Sequence, residues 1–136
     1  MKSILAADIG GTNSRFAYFR TDLETTLTLV DSHWLPTKKF DSFAHLLAQL
    51  RSSFFPFDLE DADIAVIAAA GPVEHGVYCA PPYIAWDIDL AGKEISVMLQ
   101  RAQLINDFVA QAYACRSPVA EAARSILAGE PVADGT

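Results

Sequence analysis

The chain has 136 residues, is 51% hydrophobic and carries a formal charge of -7, with a sequence pI near 4.7. Its length suits one domain with a sizeable core, and its acidity excludes the basic face that binding a phosphate backbone requires, so nucleic acid is not an expected partner. Small anions remain possible ligands, because backbone amides alone can cradle them.

Residues 3–9 (SILAADI) and 15–20 (RFAYFR) read as two strands around the Gly10-Gly11 turn, and residues 26–34 (TLTLVDSHW) alternate as a third. Short connections make the three an antiparallel meander. Between Asp41 and Pro56, Phe43, Leu46, Leu47, Leu50 and Phe54 recur at helical spacing, with Asp41 or Ser42 as N-cap and Pro56 as the stop. Residues 63–72 (DIAVIAAAGP) are too uniformly apolar for a surface strand and predict a buried parallel one, ended by Gly71-Pro72. A loop with a short hairpin around Gly76 follows, then a helix from near Asp89 through Met98, a strand over 103–106 and a helix over 107–114. This order predicts an α/β domain: a mixed sheet whose first three strands are antiparallel, whose later strands run parallel to the first, and whose faces carry helices. Helical patterning continues to about Leu127, after which the chain reads as a linker.

Cys79 and Cys115 are far apart and form no CxxC pair, which favours a reducing cytoplasm. His33, His45 and His75 are scattered without ligand-like spacing. No signal peptide is readable in a start whose apolar run stops at Asp8, and no run is long enough to span a bilayer. Trp34 and Trp86 read as core or rim packing residues rather than stacking platforms, since no basic groove accompanies them. The acidic run Asp58, Glu60, Asp61, Asp63 reads as a solvated loop.

Two stretches carry more polar equipment than structure alone demands. Neither GxxxxGK[ST] nor GxGxxG is present. In DIGGTNSR, residues 8–15, a turn with Gly10 and Gly11 lets backbone approach an anion, and its amides with the Thr12 hydroxyl can donate to phosphate oxygens. Asp8 would repel phosphate unless a divalent cation lay between, which suggests Mg²⁺ held partly through water; Arg15 adds a charged fork. The competing explanation is structural: Gly10-Gly11 supplies positive φ angles for a tight hairpin, with Asp8 and Asn13 as ordinary turn residues. The second stretch is LINDF, residues 104–108, where Asn106 and Asp107 join a strand's C-terminal end to a helix N-terminus. Ligands collect at such ends, and an aspartate there can take a proton from a substrate hydroxyl while Asn106 holds that hydroxyl in line. A plain helix cap explains the same dipeptide.

Together DIGGTNSR and LINDF resemble the bacterial glucokinases of the sugar kinase, actin and heat-shock ATPase superfamily, and AAAGPVEHG, residues 68–76, is similar to the strand and loop between those motifs. The resemblance implies a ribonuclease H-like (actin-like ATPase) domain with a mixed five-stranded sheet. It implies that Ala7, Asp8, Ile9, Gly10, Gly11 and Thr12 form the first phosphate loop for ATP, flanked by Asn13 and Arg15, with Asp8 near Mg²⁺. Asp107 would be the base for the 6-hydroxyl of glucose or a similar hexose, Asn106 a sugar ligand, and Gly71 and Pro72 part of the cleft lining. Tyr83 stands where family members commonly carry Asn three residues before the Trp, which leaves the sugar open. The resemblance further implies that residues 1–118 are an N-terminal sugar-kinase domain and 119–136 a linker toward an absent ATP-binding half. Alone, such a part is expected to be inactive, and its uncovered apolar surface favours homodimers. A non-catalytic sugar-sensing module with the same fold is the alternative, which the reading frame past Thr136 would distinguish.

Overall fold

The computed structural model describes residues 2–22, 26–53 and 58–115. Strands β1 (Lys2–Ile9), β2 (Asn13–Thr21) and β3 (Leu27–Pro36) are followed by helix α1 (Phe43–Ser52) and strand β4 (Ile64–Ala69). Three two-residue strands come next, β5 (Val73–Glu74), β6 (Tyr78–Cys79) and β7 (Ile88–Asp89), then helix α2 (Lys93–Met98), strand β8 (Ala102–Asn106) and helix α3 (Asp107–Ala114). The main sheet has five strands in the order β3-β2-β1-β4-β8. β1, β2 and β3 pair antiparallel, whereas β4 runs parallel to both β1 and β8. The expected mixed sheet and its meander are therefore present.

Strand alternation sorts side chains between two unequal faces. Leu5, Ala7 and Ile9 of β1, Phe16 and Tyr18 of β2, Ala65, Ile67 and Ala69 of β4 and Leu104 of β8 are all buried in one core. Against this face α1 lays Phe43, Leu46, Leu47 and Leu50, and α2 adds Ile95 and Met98. Ser42 caps α1 by accepting from the His45 amide at 3.0 Å, a bond that satisfies an otherwise orphaned donor. The predicted stop at Pro56 lies outside the described residues. Trp86 is buried, as read from the sequence; its Nε1 donates to the Phe40 carbonyl at 2.9 Å and its ring packs on Phe43.

The region from Val73 to Asp89 corrects two expectations. The hairpin around Gly76 forms, with His75 (φ 52°) and Gly76 (φ 71°) both left-handed, the Val77 amide donating to the Glu74 carbonyl at 3.0 Å, and three residues connecting the paired Glu74 and Tyr78. A third strand joins it, because Ile88–Asp89 pair with Tyr78–Cys79. The helix expected from Asp89 consequently begins at Lys93, after Gly92 as N-cap. The small sheet docks on the main one through the Leu104 amide, which donates to the Gly76 carbonyl at 2.8 Å.

Candidate active site

The second sheet face is lined by small residues. Ala6, Ala17, Val66 and Ala68 form the floor of a hollow of about 580 Å³, walled on one side by Ala110, Gln111 and Ala114 of α3. Asp8, Arg15, Trp34 and Asp107 supply its polar and aromatic groups. Four of these residues and their neighbours fall in one row across the sheet: Trp34 pairs with Arg15, Arg15 with Asp8, Asp8 with Ala68, and Ala68 with Ile105. In register, alternate residues share a face. Two positions beyond Ile105 comes Asp107, so both acids enter the same hollow from the C-terminal ends of parallel strands.

Asp107 is half-buried at the first turn of α3. Its Oδ1 accepts from the Phe108 amide at 2.9 Å, and the Asn106 Oδ1 accepts from the same amide at 2.9 Å. Asn106, rather than Asp107, is the N-cap. That division leaves the second oxygen of Asp107 without a protein partner among the described residues. Asn106 also donates from Nδ2 to the Gly71 carbonyl at 2.8 Å, tying the start of α3 to the bend after β4. Gly71, at φ 119°, occupies a conformation that side chains rarely adopt, and Cys79 Sγ lies close beneath it. Burial pushes the Cys79 thiol up, with the charges of Asp87 and Asp107 adding to the effect.

The turn between β1 and β2 rejects one explanation of its glycines. Neither Gly10 nor Gly11 has a positive φ. What they provide is space: a Cβ on Gly10 would meet the Asn13 carbonyl at 2.9 Å, and one on Gly11 would meet the Cβ of Tyr83 at 3.2 Å. Gly10 donates to the Asn13 carbonyl at 3.0 Å, and Thr37 holds the turn from behind, through its hydroxyl to the Gly10 carbonyl at 2.7 Å and its amide to the Thr12 carbonyl at 3.0 Å. Thr12 and Asn13 are exposed.

The structure thus gathers Asp8, Arg15 and Asp107 around one hollow, which Ala7 borders although its side chain belongs to the core. Ile9 points into the core; Gly10, Gly11, Thr12 and Asn13 form the turn above it, and Asn106, Gly71 and Pro72 stand in a separate hydrogen-bonded bend beside Asp107. Sequence reasoning assigned Trp34 to packing, but it is 56% exposed and carries the Arg15 guanidinium 4.2 Å from its ring centroid. Its period-two position opposite Arg15 was the signal that could have found it. The acidic run keeps its plain role: Leu59–Asp61 form a short 3₁₀ turn, with Glu60 paired to Arg51 at the surface. Among the described residues no cluster of three or more His, Cys, Asp or Glu side chains is placed to hold a metal, and no helix is long and apolar enough to cross a membrane.

Comparison with known proteins gives a consistent result. A family model described as Glucokinase matches residues 5–136. A glucokinase of Caulobacter sp. (strain K31) is 34% identical over 116 residues, covering 81% of this chain and 32% of its own, and one of Caulobacter vibrioides is 30% identical over 110 residues. The chain spans about a third of the length of these curated relatives. Among solved structures, a glucokinase from an Antarctic psychrotroph aligns with a TM-score of 0.73 at 26% identity, over 98% of this chain and 41% of that one. A Balamuthia mandrillaris glucokinase in complex with glucose shares the fold at a TM-score of 0.64 and 22% identity, over 89% of this chain and 34% of that one. The mixed sheet and its helices are those of a ribonuclease H-like, actin-like ATPase domain.

Proposed function

The chain belongs to the glucokinase family, and we propose that it forms the N-terminal part of a kinase that moves the γ-phosphoryl group of ATP to the 6-hydroxyl of glucose or a similar hexose. The observation that carries this reading is that Asp8, Arg15 and Asp107 line one hollow, the first two flanking a tight glycine turn and the third opening a helix. Phosphoryl transfer to an alcohol needs a base at the acceptor and charge neutralisation at the donor, with positioning supplying most of the rest.

In this reading the free oxygen of Asp107 accepts the proton of the sugar hydroxyl as the hydroxyl oxygen bonds to phosphorus and the bond from phosphorus to the ADP oxygen breaks. The Phe108 amide, donating to its Oδ1, orients the Asp107 carboxylate. Asn106, Gly71 and Pro72 shape the sugar side, and Ala7 through Asn13 present backbone to the phosphates with Arg15 beside them. The donor set fits Mg²⁺ in one respect: Asp8 is exposed and faces the hollow, where a hydrated ion can reach its carboxylate. When bound, Mg²⁺ would neutralise charge on the transferring phosphate.

The hollow bounded by the described residues is open on its outer side, so water has access to it and the 136-residue chain alone is expected to bind substrates weakly and not turn over. Residues 119–136, outside the described residues, are proposed as the link to the remainder, and a reducing cytoplasm suits the two unpaired thiols. The test is hexose phosphorylation by the full-length protein carrying Asp107→Asn. A fall in kcat of roughly 10²- to 10⁴-fold with sugar binding retained supports the assignment; turnover close to that of the unaltered protein overturns it.

A further inference from the structure

Arg15 faces a choice of partners. Asp8 stands directly opposite it in the β1–β2 ladder, and Trp34 directly opposite on the β2–β3 side. Opposite charges paired across antiparallel strands ordinarily attract. Yet no ion pair joins Arg15 to Asp8 among the described residues; the guanidinium lies 4.2 Å from the centroid of the Trp34 ring.

The two arrangements differ in what they leave free. A bond to the Asp8 carboxylate would consume the N–H edge of the guanidinium and cancel both charges. Stacking on indole engages only the flat face of the cation, and the N–H groups in its plane stay available. We propose that Trp34 is a positioning residue for the phosphoryl donor: its ring holds Arg15 by the face, keeps it off Asp8, and so presents the guanidinium fork to phosphate oxygens in the hollow. The exposure of so large an apolar side chain on the open sheet face follows from this role. Asp8, correspondingly, keeps its carboxylate for a hydrated cation.

This inference rests on the kinase reading, and its test separates the two. In the full-length protein, Trp34→Ala should raise the KM for ATP about 3- to 10-fold, the range expected for a partly exposed cation–aromatic contact, with the KM for hexose unchanged. Trp34→Phe, which keeps a ring, should recover part of the loss. In an Arg15→Ala background the Trp34→Ala change should add less than about twofold, because the residue acts through Arg15. An ATP KM within twofold of the unaltered protein in Trp34→Ala, or an equal rise with and without Arg15, overturns the proposal. Should hexose phosphorylation be lacking, calorimetric titration of the same variants with ATP reads the coupling directly: loss of affinity confined to the Arg15 background supports it, and independent effects overturn it. Because Asp107 is untouched in every variant, failure of the kinase reading is told by Asp107→Asn alone.

Discussion

Thr37 donates its hydroxyl to the carbonyl of Gly10 across 2.7 Å, while Ser14, also buried, shares a 2.8 Å contact with the same hydroxyl oxygen. With Thr37 committed as donor to Gly10, Ser14 is the donor to Thr37. The end of β3 is thereby bolted to the turn proposed to meet the phosphates.

Thr37→Val keeps the shape but strands the buried Ser14 hydroxyl and the half-buried Gly10 carbonyl. Leaving such groups unsatisfied costs about 1–3 kcal/mol, so thermal unfolding should drop by several degrees, with ATP affinity falling as the turn loosens. Thr37→Ser should restore most of both. A Val variant as stable as the unaltered protein would show the chain to be incidental.

Asn106→Ala removes a cap and a tether in one step. Loss of the cap costs about 1 kcal/mol, and the Gly71 carbonyl loses the donor that fixes the bend. Asn106→Asp is the informative companion, since a carboxylate still caps α3 but cannot donate to Gly71. If the tether matters to the sugar side, Asp should recover stability and leave the hexose KM raised; equal recovery of both would assign Asn106 to capping alone.

Asp63 and Ser3 clasp the start of β4 to the start of β1. The Ser3 amide donates to Asp63 Oδ2 at 2.7 Å and the Ser3 hydroxyl sits 3.1 Å from the same oxygen. The backbone hydrogen bond from Ser3, then its side-chain bond, holds the Asp63 carboxyl below its ordinary value of 3.8. A lowered value in the fold means that the carboxylate contributes stability above 3.8 and surrenders it as pH falls below. The stability gap between the unaltered protein and Asp63→Ala, measured by urea titration, should be present near neutral pH and shrink progressively below that value. A gap constant down to strong acid would contradict it.

Much of the sheet was legible because its strands have a clear period. Leu5, Ala7 and Ile9 alternate with polar or small residues, and the uninterrupted apolar run of β4 announced a parallel strand, although only one of its faces is in the core and Val66 and Ala68 on the other floor the hollow. Strands of two residues carry no period at all, which is why β7 was read as the first turn of a helix. Dipeptides are equally ambiguous. Asn106-Asp107 looks the same whether it caps or catalyses, and the structure divides the work, giving the cap to Asn106 and an unengaged oxygen to Asp107. Gly10-Gly11 resembled a demand for positive φ, but only coordinates distinguish that from a demand for room. Trp34 was misjudged because a long-range pairing, Arg15 with β3, gives it its neighbour.

Helix α3 buries none of its residues, and Phe108 and Tyr113 are largely open to solvent. Eight residues are too few to be helical by themselves, so the segment takes its order from its first turn, where Asn106 and the Phe108 amide anchor it to the bend below. Amide exchange should therefore climb steadily from Phe108 toward Ala114. A carboxylate seated at the fixed root of so exposed an element can keep its aim while the rest of that element yields to whatever comes to lie against it.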